Sequence, residues 1–517
     1  MVTVDPGLPI YPAEASNGEF VPRAATDPER ADAAEILRRI GDAADRLRVD
    51  RRSLLHTASG VAATLAVFNL AACSDRGSSS SPRASVASTT TGSATPSTST
   101  TQGGRFEAPE PTDRAACAEA LGGDEFIFDV HAHHVMPNGP WRTNAPSIVA
   151  MIRPLVPDGC TSADPFECLD RVSFLQDFFL ASDTTIALLS DVPNSGPDDA
   201  SVPWVEALRT KALADRTTGA GASRLLLHNV IAPNFGDLHQ RLDEMTATAA
   251  TGNVAAFKVY TAWGPHNQGF AMDDERIGLP VLEHARSLGV KILCAHKGLP
   301  IQGFDQRFNG PADIVAAARM YPDMQFVIYH SAFERETVEG AYSPSSAARG
   351  INSLVRAMND NGLAPNANVW AELGTTWREL IRKPNEAAHC VGKLLRHVGE
   401  DRVLWGTDAI WYGSPQPQIM AFRAFEITPA YQEQFGYPAL TDTIKRKIFG
   451  LNAANLFGVD AHVSRCALDA DKLAASKLEF ASLVDTNRIT SAWQPRGPMS
   501  RREVLSFIRN GGTIGAG

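Results

Sequence analysis

The region from Phe126 to Gly458 alternates short β-rich runs with longer helical stretches, and this alternation limits the folds open to the chain. Eight runs have strand character: Phe126 to His133, Thr184 to Asp191, Arg224 to Ala232, Val254 to Tyr260, Val290 to His296, Gln325 to His330, Asn368 to Gly374 and Arg402 to Asp408. The helical stretches between them are Val202 to Ala214, Asp237 to Thr251, Gly278 to Leu288, Ala312 to Tyr321, Ser345 to Asn361 and Asn385 to His397. Apolar strands separated by helices indicate an α/β fold with a parallel sheet. Eight such units favour a closed (β/α)8 barrel of the TIM type.

An open, doubly wound sheet is the alternative fold. Such a sheet normally carries a Gly-rich phosphate-binding turn after its first strand. Here that position is occupied by His131-Ala-His133.

Polar residues stand where the predicted strands end. They are His131 and His133 on the first strand, Lys258 on the fourth, His296 on the fifth, His330 on the sixth and Asp408 on the eighth. Because a barrel gathers its active site at the carboxyl ends of its strands, these side chains are expected to meet on one rim.

The first strand carries a pattern that suits a metal ion. Successive side chains of a strand point to opposite faces, so Asp129, His131 and His133 are expected on one face. Two imidazoles about 7 Å apart along a strand face can bind one divalent cation. Asp129 is then expected to orient the imidazoles from below.

Charge and composition argue for a small-molecule substrate. The 517-residue chain has a net charge of −10 at pH 7 and no dense block of lysine and arginine. Binding to nucleic acid needs clustered cations that neutralise phosphates, so nucleic acid is not an expected partner. A homo-oligomer is compatible with the composition, which does not specify the oligomeric state.

The strand ends resemble those of the amidohydrolase superfamily of metal-dependent hydrolases, and in particular its amidohydrolase-related branch, which also contains decarboxylases. The matching segments are Asp129-Val-His-Ala-His133, Ala295-His296-Lys-Gly, Tyr329-His330-Ser, Leu404-Trp-Gly-Thr-Asp408 and Lys447-Ile-Phe-Gly-Leu-Asn-Ala-Ala-Asn-Leu-Phe-Gly458. The resemblance runs from the first strand to this last helix.

The resemblance implies a divalent metal held by His131, His133, His296 and Asp408, as one ion or two. Zinc is the first expectation, and manganese, iron or nickel also suit such ligands. Asp408 could bind the ion or take the proton of the attacking water, and Asp is also a common helix N-cap. His330 could bind a second ion, act as a general acid or base, or support a strand end.

Lys258 has two interpretations. The resemblance places it where some amidohydrolases carry a carbamylated lysine that bridges two metals. Unmodified, it would pair with a substrate carboxylate or with an acidic neighbour such as Glu372, whose own role is open.

The loops after the strands are expected to set specificity. They carry Trp141, Arg142, Trp263, His266, Arg307, Trp377, Trp411 and Tyr412. Aromatic and arginine side chains, Trp263 and Trp411 among them, suggest an aromatic or carboxylate-bearing substrate, although loop residues are often only surface.

The N-terminal region resembles an export signal. Arg51 and Arg52 precede an apolar stretch, His56 to Ala72, which ends at Cys73. This pattern is similar to a twin-arginine signal with a lipobox, and it predicts lipidation of Cys73 and a position on the outer face of the cytoplasmic membrane, or secretion. The run is too short and interrupted for a permanent membrane span, and a buried helix after a chance arginine pair is the alternative.

These features divide the chain into four predicted parts. Residues 1–73 hold the signal, 74–104 form a low-complexity tether, 105–460 form the barrel and 461–517 form a C-terminal extension with a short amphipathic helix. The export region and the tether are expected to be disordered. The tether consists almost entirely of Ser, Thr, Ala, Gly and Pro and cannot bury enough apolar surface to offset its chain entropy. Cys160 and Cys168 are expected to form a disulfide outside the cytoplasm.

Three functions are compatible with these residues. The first is a metal-dependent hydrolase that cleaves a C–N or C–O bond of a small molecule with activated water. The second keeps the site but decarboxylates its substrate without hydrolysis, with one metal and an unmodified Lys258. The third is a tethered lipoprotein that binds ligands without catalysis.

Overall fold

The computed structural model describes residues 7–73, 102–157, 160–218, 222–301, 303–468, 472–485 and 501–509. The helices in these ranges are α1 Asp27–Leu47, α2 Arg51–Leu55, α3 Ala58–Cys73, α4 Arg114–Leu121, α5 Trp141–Asn144, α6 Pro146–Ile152, α7 Arg171–Leu175, α8 Trp204–Asp215, α9 Leu238–Ala249, α10 Gly278–Ser287, α11 Ala312–Met320, α12 Gly350–Asp360, α13 Thr376–Leu380, α14 Pro384–Lys393, α15 Gln416–Ala424, α16 Pro429–Phe435, α17 Asp442–Arg446, α18 Asn452–Phe457, α19 Ala461–Leu468, α20 Lys472–Asp485 and α21 Arg501–Arg509. Short 3-10 helices cover Arg153–Leu155, Pro165–Leu169, Pro265–Asn267, Gln306–Phe308, His330–Ala332 and Pro344–Ser346, and π-helical turns cover Gln176–Leu180, Leu394–Gly399 and Lys447–Leu451.

Eight parallel strands form the central sheet. With the small strand β1 Gly104–Phe106 numbered first, they are β2 Phe128–Ala132, β3 Ile186–Leu189, β4 Leu225–Ile231, β5 Val254–Val259, β6 Ile292–His296, β7 Gln325–Tyr329, β8 Val369–Glu372 and β9 Val403–Leu404. They pair in chain order, and β1 pairs antiparallel with β10 Phe425–Ile427.

The sheet closes on itself between its first and last strands. Ala132 bridges Ala409, and the backbone amide of Asp408 donates to the carbonyl of His131 at 2.9 Å. Each of the eight predicted strands contains one of these strands. The predicted (β/α)8 barrel is therefore confirmed, and the doubly wound alternative is wrong.

Apolar residues on the barrel strands support the carboxyl rim from below. Phe128, Val130, Ala256, Cys294 and Val327 are buried in one cluster. Because alternate residues of a strand share a face, Ala256 and Cys294 lie on the same faces as Lys258 and His296. The polar ends of these strands thus stand on a packed apolar base.

Residues 7–73 are folded, although the sequence predicted disorder for this region. Helix α1 begins at a capping box of Thr26 and Glu29. In α3, Val61, Ala62 and Leu65 are fully buried against neighbouring helices that include α1 and α4. The apolar stretch therefore buries its surface against protein, which is the alternative that the sequence left open.

No helix among the described residues is long and apolar enough to cross a membrane. The twin-arginine signal and the lipidation of Cys73 stay predictions. Residues 74–101, which make up nearly all of the predicted tether, lie outside the described residues.

Two smaller predictions concern the periphery of the barrel. Cys160 and Cys168 are joined by a disulfide, as predicted. The C-terminal helix α21 buries Val504 in the same apolar cluster as Trp141 and Phe174. It therefore packs on the barrel.

Candidate active site

His131, His133 and Asp408 converge at the seam where the barrel closes. Asp408 Oδ1 lies 3.4 Å from His131 Nε2 and 3.2 Å from His133 Nε2. The three residues are 2%, 2% and 3% exposed, so the cluster lies beneath the surface. Their ligand atoms are close enough together to hold one metal ion.

A second group shares His131 and adds His330 and Glu372. Glu372 Oε2 lies 3.3 Å from His131 Nδ1 and accepts a hydrogen bond from the backbone amide of His330 at 3.0 Å. The backbone carbonyl of Glu372 accepts from the Ser331 hydroxyl at 2.7 Å, which ties the two strand ends together. The two overlapping groups form a continuous cluster that can hold one ion or two.

Backbone conformation aims two of these side chains. His330 and Asp408 have φ values of 65° and 58°, in the left-handed region that non-glycine residues rarely adopt. Strain of this kind concentrates at functional sites, where the surrounding structure maintains it. A Cβ atom at Gly406 would lie 1.8 Å from Glu372 Oε1, so only glycine allows this carboxylate its position.

Asp129 supports the site through the backbone. Its Oδ1 accepts from the amides of His131 at 3.0 Å and Thr407 at 3.1 Å, and the Thr407 hydroxyl donates to its Oδ2. The sequence predicted that this carboxylate would orient the imidazoles. Instead, Asp129 ties the end of the first strand to the segment that precedes Asp408.

His296 lies next to the cluster and is coupled to it through His330. Its Nδ1 lies 3.1 Å from His330 Nε2, and its Nε2 lies 3.3 Å from the Leu299 carbonyl. Among the described residues, His296 is not in either group of converging ligand atoms. The structure thus brings together three of the four predicted ligands and places Glu372 and His330 closer to them than His296.

Lys258 is fully buried at the centre of the rim. Its Nζ lies 3.3 Å from His131 Nε2 and 4.4 Å and 5.1 Å from the ring centroids of Tyr329 and Tyr260. Burial lowers the pKa of this lysine to about 8, against the opposing effect of Asp408. The amine is therefore more easily deprotonated than an exposed lysine.

The predicted loop residues divide into two sets. Trp411 stacks on His133 with ring centroids 5.5 Å apart, and Tyr412 lies 3.2 Å from the Thr375 hydroxyl at the site. Trp263 instead donates to the Asn194 carbonyl and packs on Phe304. The other five have no described contact with the histidines and carboxylates of the cluster: Trp141, Arg142, His266, Arg307 and Trp377.

Several site residues were not predicted from the sequence. Thr375 donates to Asp408 Oδ2 at 2.6 Å, and Asn17 Nδ2 donates to the same oxygen at 3.4 Å. The hydroxyl of Tyr329 donates to the Val130 carbonyl and lies 3.2 Å from His228 Nε2. The positions of Thr375, Tyr329 and His228 at strand ends or on strands could have identified them, whereas nothing in the sequence pointed to Asn17.

Burial sets the charge state of the cluster. It lowers the pKa of His131, His133 and His330, which holds these imidazoles neutral at pH 7. It raises the pKa of Glu372 to about 8. For Asp408, the polar contacts of His133 and Thr375 overcome the effect of burial and lower the pKa to about 2.

These residues fit a divalent cation. His133 donates through Nδ1 to the Ser190 carbonyl at 2.9 Å, so its Nε2 can attract the ionised Asp408 only through a proton or a metal ion between them. His131 Nδ1 is buried without a hydrogen-bond partner among the described residues. Acceptors that face each other across a buried site need a positive centre between them, and neutral imidazoles with a carboxylate are ligands that divalent metals prefer.

Part of the chain is similar to a known protein family. Residues 230–459 match a family model described as Amidohydrolase. This match includes Lys258, His296, His330, Glu372 and Asp408 and begins after His131 and His133. No curated protein gave a significant match.

The solved structures to which the chain is similar have low sequence identity to it. A 2,6-dihydroxybenzoate decarboxylase complexed with 2,6-dihydroxybenzoate has 13% identity and a TM-score of 0.37, over 65% of this chain and 100% of that one. A dihydroxybenzoic acid decarboxylase from a Polaromonas species, with bound manganese and an inhibitor, has 16% identity and a TM-score of 0.37, over 65% and 97%. A 4-oxalomesaconate hydratase from Rhodopseudomonas palustris has 14% identity and a TM-score of 0.39, over 68% and 100%.

The family match and the cluster of histidines and carboxylates on the barrel rim lead to one conclusion. Residues 230–459 match the Amidohydrolase family, and the protein is an enzyme.

Proposed function

We propose that the protein is a metal-dependent hydrolase that cleaves a C–N or C–O bond of a small molecule. The observation that carries the proposal is the buried convergence of His131, His133 and Asp408, with His330 and Glu372 beside them. A divalent cation held by these residues, with zinc as the first candidate, would supply Lewis acidity and a water that is nucleophilic near pH 7.

Asp408 has two oxygens in different environments. Oδ1 faces the two histidines of the first strand, whereas Oδ2 accepts from Thr375 and Asn17. We assign the ligand role to Oδ1, which faces the histidines, and the proton-accepting role to the other oxygen, Oδ2. A carboxylate with a lowered pKa is ionised and ready to accept the proton of the attacking water.

His330 and Lys258 flank the reacting centre. His330 donates through Nδ1 to the Gly374 carbonyl at 2.8 Å, which fixes its ring and leaves Nε2 directed to His296 and the site. Lys258 is the buried cation nearest His131. We propose that His330 moves a proton and that Lys258 stabilises negative charge on the substrate.

Decarboxylation is the second candidate, and Lys258 favours it. An unmodified ammonium group that is buried between Tyr260 and Tyr329 would bind a carboxylate or phenolate strongly, because no bulk water competes for it. Such a substrate could lose carbon dioxide without an attacking water. In this case the site would hold one ion, and Lys258 would carry no carbamate bridge.

Elemental analysis of the purified full chain tests the proposal. We expect one or two divalent ions per chain in the wild type and none in the double variant His131→Ala/His133→Ala. His239→Ala is the matched control, because its side chain is 94% exposed and lies outside the cluster. Two ions per chain would favour a carbamylated Lys258 and hydrolysis. One ion per chain would favour decarboxylation, and release of carbon dioxide would then be assayed first. An active wild type without metal would refute the proposal.

The same double variant distinguishes an enzyme from a binding lipoprotein. Loss of metal together with loss of turnover supports catalysis at this site. Unchanged binding of a ligand by the double variant would instead support the non-catalytic alternative.

We also propose that the chain is exported by the twin-arginine route and anchored through Cys73. The supporting observations are Arg51-Arg52 before the apolar stretch and the exposed Cys73 at the end of α3. Cleavage before Cys73 would remove α1, α2 and nearly all of α3, which pack on the rest of the protein. Mass spectrometry of the mature N-terminus, on the protein from its native cell, tests this: an intact residue 7–72 region would contradict the proposal.

A further inference from the structure

A turn near the N-terminus covers the mouth of the active site. Leu8 and Ile10 are buried in the main apolar cluster, and residues 16–20 then form a tight turn. In this turn the Ser16 hydroxyl donates to the Phe20 carbonyl at 2.6 Å and accepts from the Gly18 amide at 3.0 Å. Together with these two anchors, the turn forms the N-terminal segment, residues 8–20.

The N-terminal segment reaches into the cluster that holds Asp408. Asn17 is 3% exposed, and its Nδ2 lies 3.4 Å from Asp408 Oδ2. Because the histidines and Asp408 beneath it are at most 3% exposed, a substrate cannot reach them while the closed arrangement persists. Some part of the molecule must move, and this segment lies over the site.

The closed position carries an electrostatic penalty. Glu19 Oε2 is buried and has no hydrogen-bond partner among the described residues. Burial, together with the charge of Asp408, raises the pKa of this carboxyl group to about 7, against the opposing effect of a hydrogen bond with Asn17. A buried carboxyl oxygen without a partner is costly. The segment is therefore held over the site at a cost that its withdrawal would relieve.

Arg335 lies against the N-terminal segment. Its Cζ lies 3.3 Å from the centroid of the Phe20 ring, and its charge favours ionisation of Glu19. Arg335 Nη1 is itself buried without a hydrogen-bond partner within the described ranges. When the segment withdraws, this guanidinium loses its contact with Phe20 and becomes available to an anion from solution.

We propose that the N-terminal segment is a displaceable lid of the uncleaved chain, and that it covers Arg335, which binds a carboxylate of the substrate when the lid opens. This inference rests on the proposed function, because it names the substrate class of the same site. It assigns Arg335 to substrate specificity and the segment to access.

Gly18 provides a way to open the lid without changing any charge. Its φ is 93°, and a Cβ atom there would lie 2.4 Å from the Met151 carbonyl oxygen. Gly18→Ala should therefore push the turn away from the barrel. Gly252→Ala is the matched control, because Gly252 also has a positive φ, of 69°, and a Cβ atom there would meet nothing within 4 Å.

The first measurement is the rate at which diethyl pyrocarbonate modifies His133 in metal-free protein, followed by peptide mass spectrometry. The side chain of His239 is 94% exposed and serves as the internal reference. We expect Gly18→Ala to accelerate modification of His133 by about tenfold, as a shift of the local opening equilibrium would. Gly252→Ala should leave the rate unchanged.

Asn17→Ala is the second lid variant, in case Gly18→Ala does not fold. It removes the hydrogen bond to Asp408, and we expect faster modification of His133 in the same direction. A folded Gly18→Ala or Asn17→Ala protein with the wild-type rate would overturn the lid.

The second measurement is calorimetric binding of benzoate and of benzamide to metal-free Gly18→Ala. We expect benzoate to bind about tenfold more tightly, because only benzoate carries a charge for Arg335. Arg335→Gln in the same background should abolish the preference, and equal binding of the two probes by the Gly18→Ala protein would overturn the carboxylate assignment. Neither measurement needs metal or turnover, so their failure is distinguishable from failure of the proposed hydrolase activity.

Discussion

Asp408 shows how closely its neighbours control a single side chain of the site. Its carboxylate is buried, yet its pKa is lowered to about 2, because His133 lies beside it and Thr375 donates a hydrogen bond to it. The Thr375 hydroxyl lies only 2.6 Å from Oδ2 and is fully buried. Ionisation of Asp408 thus depends on Thr375, which follows a different strand, β8.

Replacing Thr375 by Val should raise the pKa of Asp408. The acidic limb of the pH–rate profile is expected to move to higher pH, because Asp408 must be ionised to accept a proton. Loss of one hydrogen bond to a charged group costs about 1.5–3 kcal/mol, so kcat/KM should fall by about tenfold or more. Thr375→Ser keeps the hydroxyl and should restore both the rate and the profile; an unchanged profile in Thr375→Val would show that this bond does not set the pKa.

Sequence and structure agree at strand ends and differ where contacts are remote. Strand periodicity fixes which residues reach the carboxyl rim, so the positions of four site residues could be predicted: His131, His133, His330 and Asp408. Asn17 and Glu19 were not, because they lie in a nonperiodic segment whose contacts span the whole chain. The backbone role of Asp129 also escaped prediction, because a carboxylate two residues before a histidine can bond the imidazole or the amide.

At the scale of elements, helix α3 is the clearest difference from expectation. Its composition suits an export signal, and its burial suits the core of a folded protein. Local composition cannot separate these two states, because both need a run of apolar residues about 17 residues long. The two states differ in whether a protein surface covers the apolar residues, and helices α1 and α4 provide part of that surface.

Leu65 and Leu70 allow a test of whether α3 belongs to the folded protein. Leu65 is fully buried, whereas Leu70 is 55% exposed. We expect Leu65→Ala to lower the free energy of unfolding by about 2–4 kcal/mol, since it leaves a cavity. Leu70→Ala should change it by less than about 0.5 kcal/mol.

Urea denaturation of the full chain, monitored by circular dichroism, would measure both variants. Equal and small effects of the two substitutions would mean that α3 does not contribute to the stability of the fold.

At the scale of the whole molecule, the buried carboxyl groups make stability depend on pH. Burial raises the pKa of Glu372 from 4.5 to about 8 in the folded protein. A group of this kind contributes stability below its unfolded pKa, and that contribution is lost as the pH rises toward the folded value. The lowered pKa values of the buried histidines act in the opposite sense, but only below their ordinary value of 6.5.

We therefore expect the chelated protein to lose stability as the pH rises from about 6.5 to 8, by about 2 kcal/mol for Glu372 alone. A saturating divalent cation should reduce this loss, because it favours the ionised carboxylates. Thermal unfolding with and without zinc at both pH values would measure the effect. Glu372→Gln should flatten the pH dependence of the chelated protein, and a wild type equally stable at both pH values would contradict the expectation.

The seam of the barrel has a consequence for biosynthesis. The bridge between Ala132 and Ala409 brings His131 and His133, which a ribosome makes early, against Asp408, which it makes near the end of the barrel. The complete set of ligands therefore does not exist on a nascent chain until the last strand has emerged and docked. We therefore expect the metal to bind in the last step of folding. A nascent chain stalled before its last strand would lack a complete metal site.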